Sequence, residues 1–158
     1  VRGANVMQGY WNAPELTART FRPAMGFREN LLFTGDYFKQ DEEGYLYFLG
    51  RKDDMIKSRG ERISAREIEQ IVSQVEGVNE CAVLGVDDEI LGQAIKAWVA
   101  PVKGYQLLPK QIIEYCARNL EPYSIPKYVE VMDELPKTPH GKIDKKNLKR
   151  SSVQNTAK

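Results

Sequence analysis

Apolar and polar residues alternate along the chain in blocks whose period changes several times. Between Asp36 and Gly50, two β-prone aromatic runs, Tyr37–Gln40 and Tyr45–Leu49, flank Asp41-Glu42-Glu43-Gly44, a set of turn-forming residues. That pattern predicts a hairpin. A charged cluster, Arg51-Lys52-Asp53-Asp54, then interrupts it, and short strand-like pieces, Met55–Lys57 and Arg62–Ile63, flank Gly60. From Ser64 the period shifts to that of a helix. Ile68, Ile71, Val72 and Val75 recur at i, i+3, i+4 and i+7, Ser64 and Glu67 have capping-box spacing, and Gly77 is expected to end the helix.

Glu80–Val86 and Ala94–Pro101 predict two strands joined by an acidic loop around Asp87–Glu89. Pro109 suits the first turn of a second helix, which turns Ile112, Ile113, Cys116 and Leu120 inward. After EPYSIP, Tyr128–Met132 reads as a short strand. From Glu134 the chain is rich in Pro, Gly and Lys, with a last short helix over Asp144–Arg150. The pattern predicts an α+β fold: a small mixed sheet with packed helices, preceded by a mostly β piece. The expected boundaries are residues 1–50 for the β-rich piece, 51–53 for a joint, 54–150 for the α+β domain and 151–158 for a disordered tail.

Composition changes this picture little. Of the 158 residues, 42% are hydrophobic and 28% charged, enough apolar content to rule against wholesale disorder, and the net charge of +1 gives no general attraction to nucleic acid or anionic membrane. No run is long enough for a membrane span. Cys81 and Cys116 lie in apolar surroundings without metal-ligand or redox spacing, so buried thiols in the reducing cytoplasm are expected. No metal-ligating cluster is evident. The opening VRGANVMQGYWN lacks an initiator Met and reads like the middle of a strand and loop, which suggests a piece of a longer protein.

Two segments carry candidate chemistry. In PKTPHGKIDKK, Pro136 and Pro139 stiffen a loop, Gly141 permits close backbone approach, and Lys142 stands alone before Ile143. An ammonium on such a loop can neutralise phosphate or carboxylate oxygens. From chemistry alone, a solvated surface lysine is the simpler reading. Asp36 and Arg51 bracket the predicted hairpin and should meet at one end. There they could bind ribose and phosphate, or merely form a surface ion pair worth little. His140 is the lone histidine and is read as a loop residue rather than a base. Lys142, Lys145, Lys146, Lys149 and Arg150 form a basic run without aromatic interleaving, read as a solvated helix face.

Taken in order, NVMQGYWNAPELTARTF, TGD, GYLYFLGR, GRKDDMIKSRGERISAREIE and LPKTPHGKI resemble stretches of the adenylating superfamily of acyl-CoA synthetases, peptide-synthetase adenylation domains and luciferases. The resemblance runs from about Gly3 to about Arg150. It implies the C-terminal lid domain of an AMP-forming ligase, preceded by the end of the nucleotide-binding body. It implies that Asp36 and Arg51 bind the nucleotide and that Asp53 is a hinge. It implies that Lys142 bridges the substrate carboxylate and ATP phosphate during adenylation. After rotation of the lid, Gly60 would leave room for a pantetheine arm and Arg62 would approach the AMP phosphate or the thiol nucleotide.

The resemblance also implies ATP, AMP and CoA as ligands. It places magnesium, the phosphate loop and the acyl pocket on segments that would precede Val1, so a missing N-terminal domain is an expected partner. GRKDDMIKSRGERIS is closer to acyl-CoA and acyl-carrier synthetases than to amino-acid-activating domains, whereas HGKIDKKNL leans towards peptide synthetases. A fatty or aryl acid joined to CoA is expected first, and loading of an acyl carrier protein second. A stand-alone, non-catalytic binding module is the reading from another class.

Overall fold

The computed structural model describes residues 1–23 and 30–155, which fall into two compact units, Val1–Lys52 and Asp53–Lys158. In the first unit, α1 (Pro14–Thr20) precedes two antiparallel ribbons. One pairs β1 (Phe21–Pro23) with β2 (Asn30–Leu32), and the other pairs β3 (Asp36–Gln40) with β4 (Leu46–Arg51). The turn between β3 and β4 is built by Asp41, whose Oδ1 accepts from the Glu43 and Tyr45 N–H groups while Oδ2 accepts from the Tyr47 hydroxyl at 2.8 Å. This side-chain mimicry of a backbone turn is why Asp suits the position. Pattern reading passed over α1. It buries no side chain, so it has no apolar period, and its signals are Pro14 at the first turn, Glu15 near the start and Arg19 near the end.

The second unit is organised by a mixed sheet. Its strands are β5 (Met55–Ser58), β6 (Glu61–Ser64), β7 (Val78–Asp88), β8 (Gly92–Pro101) and β9 (Tyr128–Val131). The order is β6-β5-β8-β7, antiparallel throughout. β9 runs parallel to β8 over Lys96–Val99, beyond the single β5 pairing at Ser58 and Gly92. β8 is buried almost without a break because both sheet faces are covered, and this accounts for its continuous apolar run.

On one face Ile95, Ala97 and Val99 pack with Ile56, Ile63 and Val83 beneath α2 (Ala65–Val72) and α3 (Pro109–Asn119), which contribute Ile68, Val72, Ile112 and Cys116. On the other face Trp98, Ala82 and Ala100 pack with Leu135 and with Leu148 of α4 (Lys145–Asn155). The sheet therefore serves two cores.

Ser64 caps α2 by accepting from the Glu67 N–H at 3.4 Å. The helix stops at Val72, short of Gly77. Gln74 and Val75 donate instead to carbonyls three residues back, Ile71 and Val72, a tightening that fills the gap to Gly77 and still buries Val75. At the other end of the chain, α4 runs to Asn155, past the Arg150 expected from sequence and into the segment read as a tail. Within it the Ser151 hydroxyl lies within hydrogen-bonding distance of the Asn147 and Leu148 carbonyls.

Candidate functional site

The site residues expected from sequence lie at the open end of the β3–β4 ribbon, in the 3-10 turn after it, and on two turns of the second unit. In the first unit, Asp36 and Arg51 are direct cross-strand partners at the open end of β3 and β4. Gly35, at φ 77°, makes the turn that enters β3, and its carbonyl accepts from the Lys52 N–H at 2.6 Å, which closes the ribbon. The Arg51 Nε lies 3.7 Å from Asp36 Oδ1, too far for a good hydrogen bond, and the two side chains are 59% and 28% exposed. The pair is loose, and the carboxylate keeps lone pairs able to accept from hydroxyl groups. Asp53 falls in the 3-10 turn Lys52–Asp54, and its side chain lies outside the described residues.

In the second unit, Arg59 and Gly60 form a two-residue turn between the paired Ser58 and Glu61. Both have positive φ, 53° and 83°, as the tightest hairpin turns require, and this alone is a reason for glycine at 60. A Cβ on Gly60 would meet nothing within 4 Å. Ile56 and Ile63 point into the core, so Lys57 and Arg62, their neighbours and each other's cross-strand partners, share the exposed face. Two cations in direct register repel unless an anion or an acid sits between them. Arg62 also lines a cleft of about 440 Å³ whose other walls include Ser64, Glu67, Arg118, Asn119 and Tyr123.

Lys142 stands on a third turn. Thr138 organises it: its N–H donates to the Lys142 carbonyl at 2.7 Å, its carbonyl accepts from Gly141 at 2.9 Å, and its Oγ1 accepts from the Lys142 N–H at 3.3 Å. Gly141 has φ 77°, and a Lys137–Ile143 bridge closes the base. The Lys142 side chain is exposed and, among the described residues, makes no ion pair. His140 is exposed on the same turn.

The second turn and the Lys137 leg of the third are tied to opposite ends of β8. The Arg59 N–H donates to the Leu91 carbonyl beside Gly92, whereas Lys137 pairs with Glu80, the strand partner of Ala100. From Gly92 to Ala100 is about 26 Å of strand at ~3.3 Å per residue. The structure thus brings Asp36 to Arg51 and sets Gly60 and Arg62 on one hairpin at the Gly92 end of β8, while the Lys137 leg of the Lys142 loop is tied near the Ala100 end.

Sequence reading missed how the basic run is used. Lys145 is not simply solvated: its Nζ lies 2.9 Å from Glu69 Oε1. Glu69 sits on the polar side of an amphipathic helix, where helical spacing gives no hint of a distant partner. Cys116 is buried as expected, whereas Cys81 is only half-buried. Burial pushes the Cys81 thiol up to about 12, helped by the nearby Glu69 charge, and the Cys116 thiol up to about 11.

Residues 67–142 match the model of the AMP-binding enzyme C-terminal domain. The matched span ends on Lys142 itself. Similarity to curated acyl-CoA ligases extends much further along the chain. It is 39% identical over 155 residues to the long-chain-fatty-acid–CoA ligase of Bacillus subtilis (strain 168), covering 98% of this chain and 27% of the relative. It is 37% identical over 149 residues to the crotonobetaine/carnitine–CoA ligase of Salmonella paratyphi B, covering 94% and 28%. ATP-bound MatB from Rhodopseudomonas palustris superposes with a TM-score of 0.83 at 33% identity, over 95% of this chain and 29% of that one. The chain spans little more than a quarter of the length of these relatives. Among the described residues no helix is long and apolar enough to cross a membrane, and no group of three or more His, Cys, Asp or Glu could hold a metal ion.

Proposed function

We propose that this chain works as the C-terminal part of a cytoplasmic, ATP-dependent ligase. The ligase activates a carboxylic acid, fatty or aryl, as its acyl-AMP and passes the acyl group to the thiol of CoA. The observation that carries the reading is similarity at 37–39% identity to two acyl-CoA ligases across nearly the entire chain. Lys142 neutralises charge shared by the substrate carboxylate and ATP phosphate while the acyl phosphate forms and pyrophosphate leaves. Asp36 accepts hydrogen bonds from the ribose hydroxyls, and Arg51 beside it contacts the same nucleotide. Asp53 is the hinge on which the C-terminal domain turns. Turning withdraws Lys142 and presents the Gly60–Arg62 hairpin, Gly60 as the wall of the pantetheine passage and Arg62 as the phosphate contact.

The Gly60 hairpin pairs with β8 at Gly92, and the Lys137 leg of the Lys142 loop is tied to Glu80 beside Ala100, an arrangement that supports a division of two steps between two surfaces. One rigid domain can then serve adenylation and thioester formation in succession. The β3–β4 ribbon leaves Phe38, Tyr45, Leu46, Tyr47, Phe48 and Leu49 exposed, a surface suited to be covered by the remaining length that the relatives possess. Magnesium, when bound, supplies charge neutralisation at the phosphates, and its ligands are assigned to that remaining length.

The test compares the chain alone with the complete ligase, each given ATP, magnesium, CoA and a panel of fatty and aryl acids. Pyrophosphate release only by the complete ligase, followed by acyl-CoA, supports the reading. Acylation of a carrier protein in place of CoA redirects the acceptor. Pyrophosphate release by the isolated chain overturns the division of labour.

A further inference from the structure

The loop that carries Lys142 is held at both legs by ion pairs to carboxylates fixed on the rest of the domain. On the incoming leg Lys137 Nζ lies 2.9 Å from Glu80 Oε1 of β7. On the outgoing leg Lys145 Nζ lies 2.9 Å from Glu69 Oε1 of α2. The second pair is the more sheltered, with side chains 31% and 21% exposed against 49% and 29% for the first. Glu69 is itself immobilised: the same Oε1 accepts from the Val83 N–H at 2.8 Å, and the Glu69 carbonyl accepts from the Cys81 thiol at 3.4 Å. A carboxylate pinned to β7 therefore fixes Lys145, and Lys145 is three residues from Lys142 with half-buried Ile143 between them.

We propose that Glu69 is a positioning residue for the adenylation step, acting through Lys145 to hold the loop that aims the Lys142 ammonium. This rests on the role given to Lys142 above. The Lys142 side chain has no ion pair of its own among the described residues, so its aim depends on where the backbone is held. Gly141 at φ 77° leaves that backbone free to pivot once a leg is released. Displacement of a charge-stabilising group by about 1 Å costs on the order of 100-fold in rate. The Gly60 turn pairs with β8 at Gly92, whereas the Lys145–Glu69 pair is fixed to β7 at Val83, opposite Ala97, so loosening the Lys142 loop should leave the hairpin turn in place and thioester formation near its normal rate.

The complete ligase serves as the test, as wild type and as Glu69→Gln, Lys145→Met, Lys145→Arg and the Glu69→Gln/Lys145→Met double variant. Gln at 69 keeps an acceptor for Val83 while removing the charge. For each, kcat and KM of pyrophosphate release are measured, together with thioester formation from supplied acyl-AMP and the melting temperature. The expected result is a fall of roughly 10- to 100-fold in kcat for adenylation in both single neutral variants. The double variant should be no worse than either single, because the two act as one unit. Lys145→Arg should restore most of the rate, and thioester formation should stay within about twofold of wild type throughout. Unchanged adenylation in Glu69→Gln overturns the proposal, as does a parallel fall of both half-reactions with melting temperature. A rise in the KM for ATP in Lys145→Met that Glu69→Gln does not share would make Lys145 a nucleotide contact and also overturn it. A wild-type ligase that releases no pyrophosphate overturns the ligase reading itself, and the positioning role with it.

Discussion

Gly60 lies where two explanations of one residue can be separated by substitution. Its φ of 83° follows Arg59 at 53°, and a Cβ built there meets no atom within 4 Å. Alanine at 60 therefore brings no clash, only the cost of holding a side chain in the left-handed region, about 1–2 kcal/mol. For a unit of this size that is a loss of roughly 5–10 °C in melting temperature. Asparagine enters the same region more readily and should cost less. Gly77 is the internal contrast. It has a similar φ of 85°, but its Cβ would fall 2.2 Å from the Tyr105 ring. Gly77→Ala should cost more than Gly60→Ala by a further 1–3 kcal/mol of overpacking, and most of that excess should vanish in a Tyr105→Ala background.

Calorimetry on the chain reads these stabilities, and thioester formation from supplied acyl-AMP, in the complete ligase, reads the functional arm. With the turn satisfied by Gly60→Asn, any remaining loss reports the side chain's bulk in the proposed pantetheine passage. We expect a fall of at least roughly tenfold in thioester formation with adenylation preserved. An unchanged thioester rate would show that glycine serves the turn alone. Equal stability losses in Gly60→Ala and Gly77→Ala would refute the steric argument.

Two further predictions follow from the electrostatics. With the Cys81 and Cys116 thiols raised to about 12 and 11, neither should react with a disulfide reagent at pH 8 in the folded chain, and both should react after denaturation. Asp88 accepts from Lys127 at 2.6 Å and from the Ile90 and Leu91 N–H groups, which lowers its pKa from the usual 3.8. Its stabilising contribution is present above that value and is lost as the pH falls through the lower, folded one. Lys127, raised above 10.5 by the same bond, contributes below that value and loses the contribution as the pH rises through its folded pKa. Melting curves of wild type and Asp88→Asn should differ near neutrality and converge in acid; a constant gap down to pH 2 would contradict the assignment.

What could be read from the sequence depended on how local the determinants are. The β3–β4 hairpin, with Asp36 opposite Arg51, follows from alternation and one acidic turn, all within a short stretch. Ser64 and the period of Ile68 and Val72 marked α2 for the same reason. Its end was misjudged because Gly77 terminates the tightened turns after the helix rather than the helix itself. Helix α1 escaped because it buries nothing and so lacks a period. The parallel pairing of β9 with β8 and the ion pair from Glu69 to Lys145 are tertiary choices between distant segments, and no local pattern encodes them. Lys142 and Arg62 could be picked out by motif, but the tie of the Lys137 leg and of the Gly60 hairpin to opposite ends of one strand needed the sheet register.

The most direct test of the two-surface account is Lys142→Ala in the complete ligase, with the two half-reactions assayed separately. Adenylation, followed as pyrophosphate release, should be lost by at least roughly 100-fold, while thioester formation from preformed acyl-AMP stays near the wild-type rate. Equal loss of both steps, or retention of adenylation, would contradict it.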